Sequence, residues 1–339
     1  MDGQTGLKLD DNWEIICPWA QIMIGTSMPV HITENMIEMT DEILERENKE
    51  DYGKRLAGQI NNEYGIDLED LEEWKREAPV FSKKPEWTDS VVPNFGNHIW
   101  APDITEFEGS FYLYYSVSAF AKNTSAIGLA INKTLDLDSP DYKWEDQGIV
   151  IESIPNRDLW NAIDPNLIFD EEGTPWLSFG SFWEGLKLVK LSSDLKSIAV
   201  PQEWETIARR ERSFKIPDKN PGDAALEAPF IFRKQDWYYL FISWDLCCRG
   251  ENSTYKVVVG RSKSVKGPFL DKTGKSLVNG GGTLVLEGNE KWYGAGHNSV
   301  YTFDGKDYMF FHAYDAEDGA KPKLKIKELH WKDNWPIEL

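Results

Sequence analysis

Four stretches of the chain follow one pattern, and this repetition limits the possible folds more than any other feature of the sequence. Each has a polar residue, a short apolar run, a polar or glycine-containing turn and an aromatic-rich second run, the pattern of a β-hairpin. They are "WAPDITEFEGSFYLYYS", "AIDPNLIFDEEGTPWLSFG", "LEAPFIFRKQDWYYLFIS" and "GHNSVYTFDGKDYMFFHAY". A third strand-like run follows each: "SAIGLAI", "GLKLVKL", "YKVVVGR" and "KLKIKEL". The sequence therefore predicts a repeated antiparallel unit of three or four strands.

Each stretch has a polar head, and the heads recur at similar spacing. They are Asp103, Asp164, Glu227 and His297, separated by 61, 63 and 70 residues. A unit of this size cannot bury both faces of its sheet alone, so the repeats are expected to stack as blades around an axis. The first strand of each blade lines that axis, so the four heads are expected to meet at one end of it. The predicted fold class is all-β, a β-propeller.

The amino-terminal segment carries a weaker version of the same spacing. Asp41 lies 62 residues before Asp103, and a third-strand run, "GIDLEDLEEW", starts at Gly65. The register predicts a fifth blade, although the many charges of "ERENKEDYGKRLAGQ" would equally suit a helix. We therefore expect one five-bladed domain over residues 1–339, with a divergent or partly helical first blade over 1–75 and well-matched blades over 76–339.

The charge of the chain restricts its partners. Its 37 basic and 57 acidic residues give a net charge of −20, which repels nucleic acid, anionic membranes and acidic polysaccharides. We expect a neutral or cationic partner and a monomeric protein. The three cysteines, Cys17, Cys247 and Cys248, do not form a disulfide framework or a zinc motif, so Cys247 and Cys248 are expected to be packed thiols.

Three of the four heads are carboxylic acids, and a pair of such acids suggests hydrolysis of a glycosidic bond. That reaction needs one protonated carboxyl group to assist the leaving oxygen and one ionised group to activate water. Glu227 precedes an apolar strand that could raise its pKa, whereas hydrogen bonds could hold Asp164 ionised. An acid next to proline also occurs as a simple turn or strand cap, and this reading stays open, above all for Asp103, which follows Pro102.

His297 and several aromatic residues have alternative roles. His297 could act as a general base, a metal ligand or a core histidine; as a ligand it would need oxygen atoms and water to complete a site for a hard cation such as Ca²⁺. The chain has 15 tryptophans, most of them expected in blade packing. Trp100, Phe120 and Trp183 fall near the expected pocket, where their rings could stack on a sugar or pack in the core.

These motifs resemble glycoside hydrolase family 43, and within it the arabinanases that cut α-1,5-linked L-arabinofuranose chains. The similar blocks occur in the family's order over residues 65 to 336, among them "HIWAPDI", "WNAIDPNLIFD", "WLSFGSFW", "LEAPFIF", "CCRGENSTY" and "GHNSVY". The resemblance implies a five-bladed β-propeller and an inverting, single-displacement mechanism. It also implies an arabinan substrate and an extracellular or periplasmic location.

The resemblance assigns roles by motif. Glu227 matches the general acid, Asp164 the acid that tunes the pKa of the general acid, and His297 the axial histidine near a bound ion, commonly Ca²⁺. The residues implied to bind substrate are Trp100, Phe120, Asn161, Ser181, Phe182 and Trp183.

The first blade departs from the family pattern. Family members begin with a His-Asp-Pro strand whose aspartate is the general base, and here "TDEILERE" keeps only the aspartate, Asp41. Asp41 is therefore the expected base. Two alternatives stay open: an arabinan-binding propeller that lacks the base, and an arabinofuranosidase or β-xylosidase of the same family.

Overall fold

The structure is a computed structural model that describes residues 79–93, 95, 99–303 and 305–339. Asp41 and the expected first blade therefore lie outside the described residues. The first described element is a short helix, α1 (Thr88–Val91), and short 3-10 helices occur at Gly250–Asn252 and Leu277–Asn279. No helix in the described ranges has the length and apolar character needed to span a membrane.

Four antiparallel meanders make up most of the described chain. The first contains β1 (Ile99–Phe107), β2 (Ser110–Val117), β3 (Ser125–Asn132) and β4 (Glu145–Ser153). The second contains β5 (Asn166–Phe169), β6 (Pro175–Phe179), β7 (Leu186–Lys190) and β8 (Trp204–Ala208). The third contains β9 (Leu226–Lys234), β10 (Trp237–Trp244), β11 (Lys256–Ser262) and β12 (Thr283–Glu287). The fourth contains β13 (Trp292–Phe303), β14 (Lys306–Asp315) and β15 (Lys321–Leu329), and a small hairpin follows, β16 (Trp331–Lys332) and β17 (Trp335–Pro336).

The four sheets are arranged as propeller blades. Their first strands contact one another in series, β1 with β5, β5 with β9 and β9 with β13, whereas no comparable contact joins β13 back to β1 within residues 99–339 as described. Apolar side chains from the facing sheets fill the space between successive blades. Full burial of each large apolar side chain contributes roughly 1.5–3 kcal/mol. The all-β propeller is confirmed, with four blades described.

The segment before β1 packs on the first blade. Rings of Phe81 and Trp87 lie 5.1 and 6.0 Å from the ring of Tyr115, and the Trp87 indole N–H donates to Asp146 on β4. Gly128 on β3 leaves the necessary room, because a Cβ there would lie within 2.7 Å of both aromatic rings. The segment therefore covers the first blade with an aromatic layer.

Strand pairing shows which residues of the four blades are equivalent. One pair between the first and second strands recurs in every described blade and serves as the reference. The pairs are Ile104 with Leu113, Leu167 with Leu177, Ile231 with Leu240, and Val300 with Met309. On this register Asp164 is equivalent to Ala228 and His297, Glu227 lies one position earlier, and Asp103 lies two positions later. The expectation that all four heads meet at one place is wrong for Asp103, because the residue of the first blade that is equivalent to Asp164 is Ala101, two positions before Asp103.

Hydrogen bonds between neighbouring first strands fix the blades along the axis. A carboxylate oxygen of Asp103 accepts from the Leu167 N–H at 2.8 Å, and the amide oxygen of Asn166 accepts from the Ile231 N–H at 2.9 Å in the equivalent place. Asp103 therefore links two blades and does not join Glu227, so its role is structural, although it is a link between blades and not the turn or strand cap considered from the sequence. Burial raises the pKa of the Asp103 carboxyl group to about 7, although its hydrogen bonds oppose this shift.

The raised pKa of Asp103 predicts a pH-dependent stability. Between pH 4 and pH 7 the folded protein retains a proton that the unfolded chain has lost, so the free energy of unfolding should fall by up to about 1.4 kcal/mol per pH unit as the pH rises. Asp103→Asn should remove this part of the slope while its amide oxygen still accepts from Leu167. Urea unfolding of both proteins at several pH values measures it, with the exposed Glu106→Gln on the same strand as control. Equal slopes in wild type and Asp103→Asn would contradict the assignment.

Candidate active site

Glu227 is held at the start of β9 by two hydroxyl groups. Oε1 accepts from the Tyr255 hydroxyl at 2.6 Å, and Oε2 accepts from the Ser181 hydroxyl at 2.8 Å. Tyr255 comes from the loop before β11 and Ser181 follows β6, so two blades fix one carboxyl group. These two hydrogen bonds fix the orientation of the carboxyl group. Glu227 is half-buried, so the residue stays partly accessible to solvent.

Asp164 lies beside Glu227 in the neighbouring blade. Its carboxylate oxygen Oδ2 accepts from the N–H of Ala228, the residue that follows Glu227, at 3.1 Å. The backbone N–H of Asp164 itself donates to the Ser116 hydroxyl at 3.0 Å. Asp164 is buried, with 6% of its surface exposed. The structure thus brings together the two carboxylic acids that the sequence singled out.

Backbone conformation explains why the acids point into the site. Asp164, Ala228 and His297, which are equivalent, have φ of 57°, 52° and 52°, in the left-handed region that L-residues rarely adopt. The pairing register of β9 with β10 shifts between Phe241 and Ser243, opposite this point. A bulge of this kind redirects neighbouring side chains, and here it turns Glu227 towards Tyr255 and Ser181.

The electrostatic environment raises the pKa of both acids. Burial raises the pKa of Asp164 well above its ordinary value, and the nearby Glu227 carboxylate raises it further, against one opposing hydrogen bond. Burial also raises the pKa of Glu227, although the Tyr255 and Ser181 hydrogen bonds lower it. The expectation that hydrogen bonds keep Asp164 ionised is therefore wrong for the free site. Such a pair shares its titration and retains a proton to higher pH than isolated carboxyl groups do.

Two histidines lie behind the acids. His297, on β13, donates its backbone N–H to the Ser243 hydroxyl at 2.8 Å, and burial lowers the pKa of its imidazole to about 4. His312, on β14, has its pKa lowered to about 3 by burial and by His297. Both imidazoles are neutral near pH 7 and suit hydrogen bonding or metal ligation better than charge pairing. An ion near His297 stays a prediction, and the described residues contain no group of three or more His, Cys, Asp or Glu that could hold a metal.

The residues expected to bind sugar have different environments. Phe120 is 78% exposed and Trp100 is half-buried, so both have ring surface open to solvent. Trp183 is 1% exposed and its indole N–H donates to the Asp218 carbonyl oxygen at 2.7 Å, so its ring packs inside the protein. The Phe182 N–H donates to the carbonyl oxygen of Leu226, the residue before Glu227.

Asn161 and the adjacent serines form a buried polar group. The amide oxygen of Asn161 accepts from the Ser125 hydroxyl at 2.6 Å, and Ser125 is hydrogen-bonded to Ser118 at 2.7 Å. Asn161 is 4% exposed. The hydrogen bond from Ser125 on β3 therefore connects the segment before the second blade to the first blade.

Two residues of the site, Tyr255 and His312, were not predicted from the sequence, and one expectation about the cysteines was wrong. Tyr255 was visible only as the end of the "CCRGENSTY" block, with no signal for its contact with Glu227. His312 could have been found by aligning the second strands, where it is equivalent to Ser116, Gly180 and Ser243. Cys247 and Cys248 form a disulfide with each other, so the expectation of two packed thiols was wrong.

Comparisons with known proteins agree with this geometry. The sequence profile of "Glycosyl hydrolases family 43" matches residues 68–336. The extracellular exo-α-(1→5)-L-arabinofuranosidase ArbA of Cellvibrio japonicus is 60% identical over 264 residues, which are 78% of this chain and 76% of that protein. The extracellular endo-α-(1→5)-L-arabinanase 1 of Bacillus subtilis is 42% identical over 267 residues, 79% of this chain and 77% of that protein.

Solved structures give the same result. The α-L-arabinanase of Cellvibrio cellulosa superposes with a TM-score of 0.77 at 59% identity, and the match covers 78% of this chain and 84% of that one. A structure of that arabinanase in complex with arabinohexaose matches equally well. Three findings agree on the family of the protein. The profile matches most of the chain, two relatives are well above 30% identical, and the propeller fold is shared. The chain belongs to glycosyl hydrolase family 43.

Proposed function

We propose that this protein is an inverting glycoside hydrolase that cleaves α-1,5-L-arabinofuranosidic bonds of arabinan. The observation that carries the proposal is the carboxyl group of Glu227, oriented by Tyr255 and Ser181 and adjacent to the buried carboxyl group of Asp164. The names of the similar proteins, an exo-arabinofuranosidase and an endo-arabinanase, support the substrate class.

Glu227 is the general acid of the proposed reaction. Its carboxyl proton passes to the glycosidic oxygen as the bond to the anomeric carbon breaks, and a water molecule attacks that carbon from the opposite face. A second carboxylate takes a proton from this water, which completes the hydrolysis and inverts the anomeric centre. Asp164 is a positioning residue: its negative form would raise the pKa of Glu227, and its contact with Ala228 fixes the backbone that carries Glu227.

Asp41 is the proposed base, in a fifth blade formed by the amino-terminal segment. Inversion needs about 6.5–9.5 Å between the two carboxyl groups, enough for one water molecule. The charge of −20 is compatible with a neutral arabinan chain and unfavourable for nucleic acid or anionic membranes. The names of the two similar extracellular enzymes support an extracellular location.

A bound ion is proposed near His297. The neutral imidazole can supply one ligand, and since no ligand cluster accompanies it in the described ranges, water would supply most of the others. A hard cation such as Ca²⁺ fits these conditions, and it would add positive charge near the acids.

Chromatography of the products from debranched linear arabinan tests the proposed reaction. We expect wild type to release arabinose or arabino-oligosaccharides, and the product lengths separate exo from endo action. Glu227→Gln should lower kcat by several orders of magnitude while binding is retained, because the amide occupies the same space but cannot donate the proton. Asp41→Asn should have a similarly large effect. Binding of arabino-oligosaccharide without any release by wild type would instead indicate a binding protein that lacks the base.

The hydrogen bond from Tyr255 predicts a shift in the pH profile. Tyr255→Phe removes a donor that stabilises the ionised form of Glu227, so the pKa of the acid should rise, and the alkaline limb of kcat/KM should move up by about one pH unit. Ser181→Ala should move it in the same direction. Tyr114→Phe is the matched control, because the Tyr114 hydroxyl is buried and donates to the Leu195 carbonyl oxygen far from Glu227. An unmoved alkaline limb in both site variants would contradict the proposed roles.

Removal of the ion tests its site. Incubation with EDTA should lower the Tm, and added Ca²⁺ should restore it, because an ion that binds only the folded state stabilises it. His297→Ala should abolish both changes. An unchanged Tm, together with no metal detected by mass spectrometry in the purified protein, would rule out the ion.

A further inference from the structure

The disulfide between Cys247 and Cys248 lies in the loop that carries Tyr255. This loop connects β10 to β11 and begins two residues after Ser243, which is opposite Glu227 in the sheet. Cys247 is half-buried and Cys248 is exposed. A bond between adjacent cysteines closes a small covalent ring that includes the peptide between them, so it restricts the local backbone and cross-links no distant part of the chain.

The base of the loop is closed without the disulfide. The Thr254 N–H donates to the Leu246 carbonyl oxygen at 2.9 Å, and the Arg249 N–H donates to the Ser253 hydroxyl at 3.0 Å. The disulfide therefore acts on the tip of the loop. There Cys248 has a φ of 64°, a left-handed conformation that is unfavourable for a residue with a Cβ.

The left-handed backbone at Cys248 directs one hydrogen bond towards the next blade. Its N–H donates to the Tyr314 hydroxyl at 2.7 Å. The Tyr314 ring lies edge-on to the His312 ring at 5.3 Å, and the His312 ring lies 5.7 Å from the ring of Tyr255. Tyr255 then donates to Glu227. A continuous series of contacts thus runs from the disulfide to the acid.

The residues around Tyr255 are tightly packed. A side chain at Gly294 of β13 would collide with Ser253, and one at Gly296 would collide with the Tyr255 ring. Tyr255 is 1% exposed, enclosed by its own loop, β13 and His312 of β14. A displaced loop tip would therefore change the position of this ring and of the hydroxyl that orients Glu227.

We infer that the Cys247–Cys248 disulfide is a positioning element of the active site, which holds Cys248 in the left-handed conformation and thereby fixes Tyr314, His312 and Tyr255 behind Glu227. The link to rate rests on the proposed hydrolase function. Reduction adds two electrons and two protons, breaks the S–S bond and forms two thiols, while a dithiol such as dithiothreitol is oxidised to its cyclic disulfide. The reduced protein then loses rate because its general acid is less well oriented.

Two double variants separate the backbone effect from loss of the sulfur atoms. Both are made in a Cys17→Ser background, so that the third cysteine does not react. Cys247→Ser with Cys248→Ser should lower kcat about tenfold with little change in KM, since the left-handed conformation is no longer enforced. Cys247→Ser with Cys248→Gly should recover most of this loss, because glycine adopts positive φ without a steric penalty. The Tm of each variant controls for misfolding.

Hydrogen exchange gives a readout that does not depend on hydrolysis. In the peptide that spans residues 245–255, the serine variant should exchange amide hydrogens faster than the background protein, and the glycine variant should be intermediate. Tyr314→Phe should accelerate exchange at the amide of Cys248. If the background protein hydrolyses no arabinan, the proposed function fails, and exchange alone decides the inference. Equal exchange in all variants would overturn it, as would equal kcat in the serine variant and its background.

Discussion

The backbone N–H groups of Asp164, Ala228 and His297 occupy equivalent positions in three successive blades, and each donates to an acceptor from the preceding blade. These hydrogen bonds organise the centre of the described propeller. At two junctions a serine of the second strand provides the acceptor, Ser116 for Asp164 and Ser243 for His297. At the junction between them the equivalent residue is Gly180, which has no hydroxyl group. There the Ala228 N–H donates to the carboxylate of Asp164 instead. A buried N–H left without a partner would cost about 1–3 kcal/mol, so each substitution at these positions needs a compensating group.

The use of a carboxylate in place of a serine hydroxyl at Ala228 brings two acids together. Because Asp164 replaces a hydroxyl group as the acceptor at Ala228, its carboxyl group is fixed one residue away from Glu227. Burial of the two acids then raises the pKa of the pair, and the hydroxyl groups of Tyr255 and Ser181 oppose that shift at Glu227. The same hydrogen bond that joins two blades thus places a second carboxyl group beside the proposed general acid.

The supports of the acid come from three different blades. Ser181 follows β6, Tyr255 precedes β11, and the ring of His312 on β14 packs against Tyr255. Small residues, Gly294 and Gly296, allow β13 to approach the loop closely. The position of one carboxyl group therefore depends on the packing of blades that are far apart in the sequence.

The sequence by itself determined the all-β class, the repeated hairpins and the choice of Glu227 and Asp164, because alternating apolar runs and the polar residues before them are local signals. The cysteine pairing was misread from the sequence, since two adjacent cysteines give no indication of their geometry. Only the tertiary structure decided which residues of the blades are equivalent, because the register is defined by strand pairing. It also decided that Trp183 packs inside and that Tyr255 and His312 support Glu227, since these contacts join strands that only the folded chain brings together.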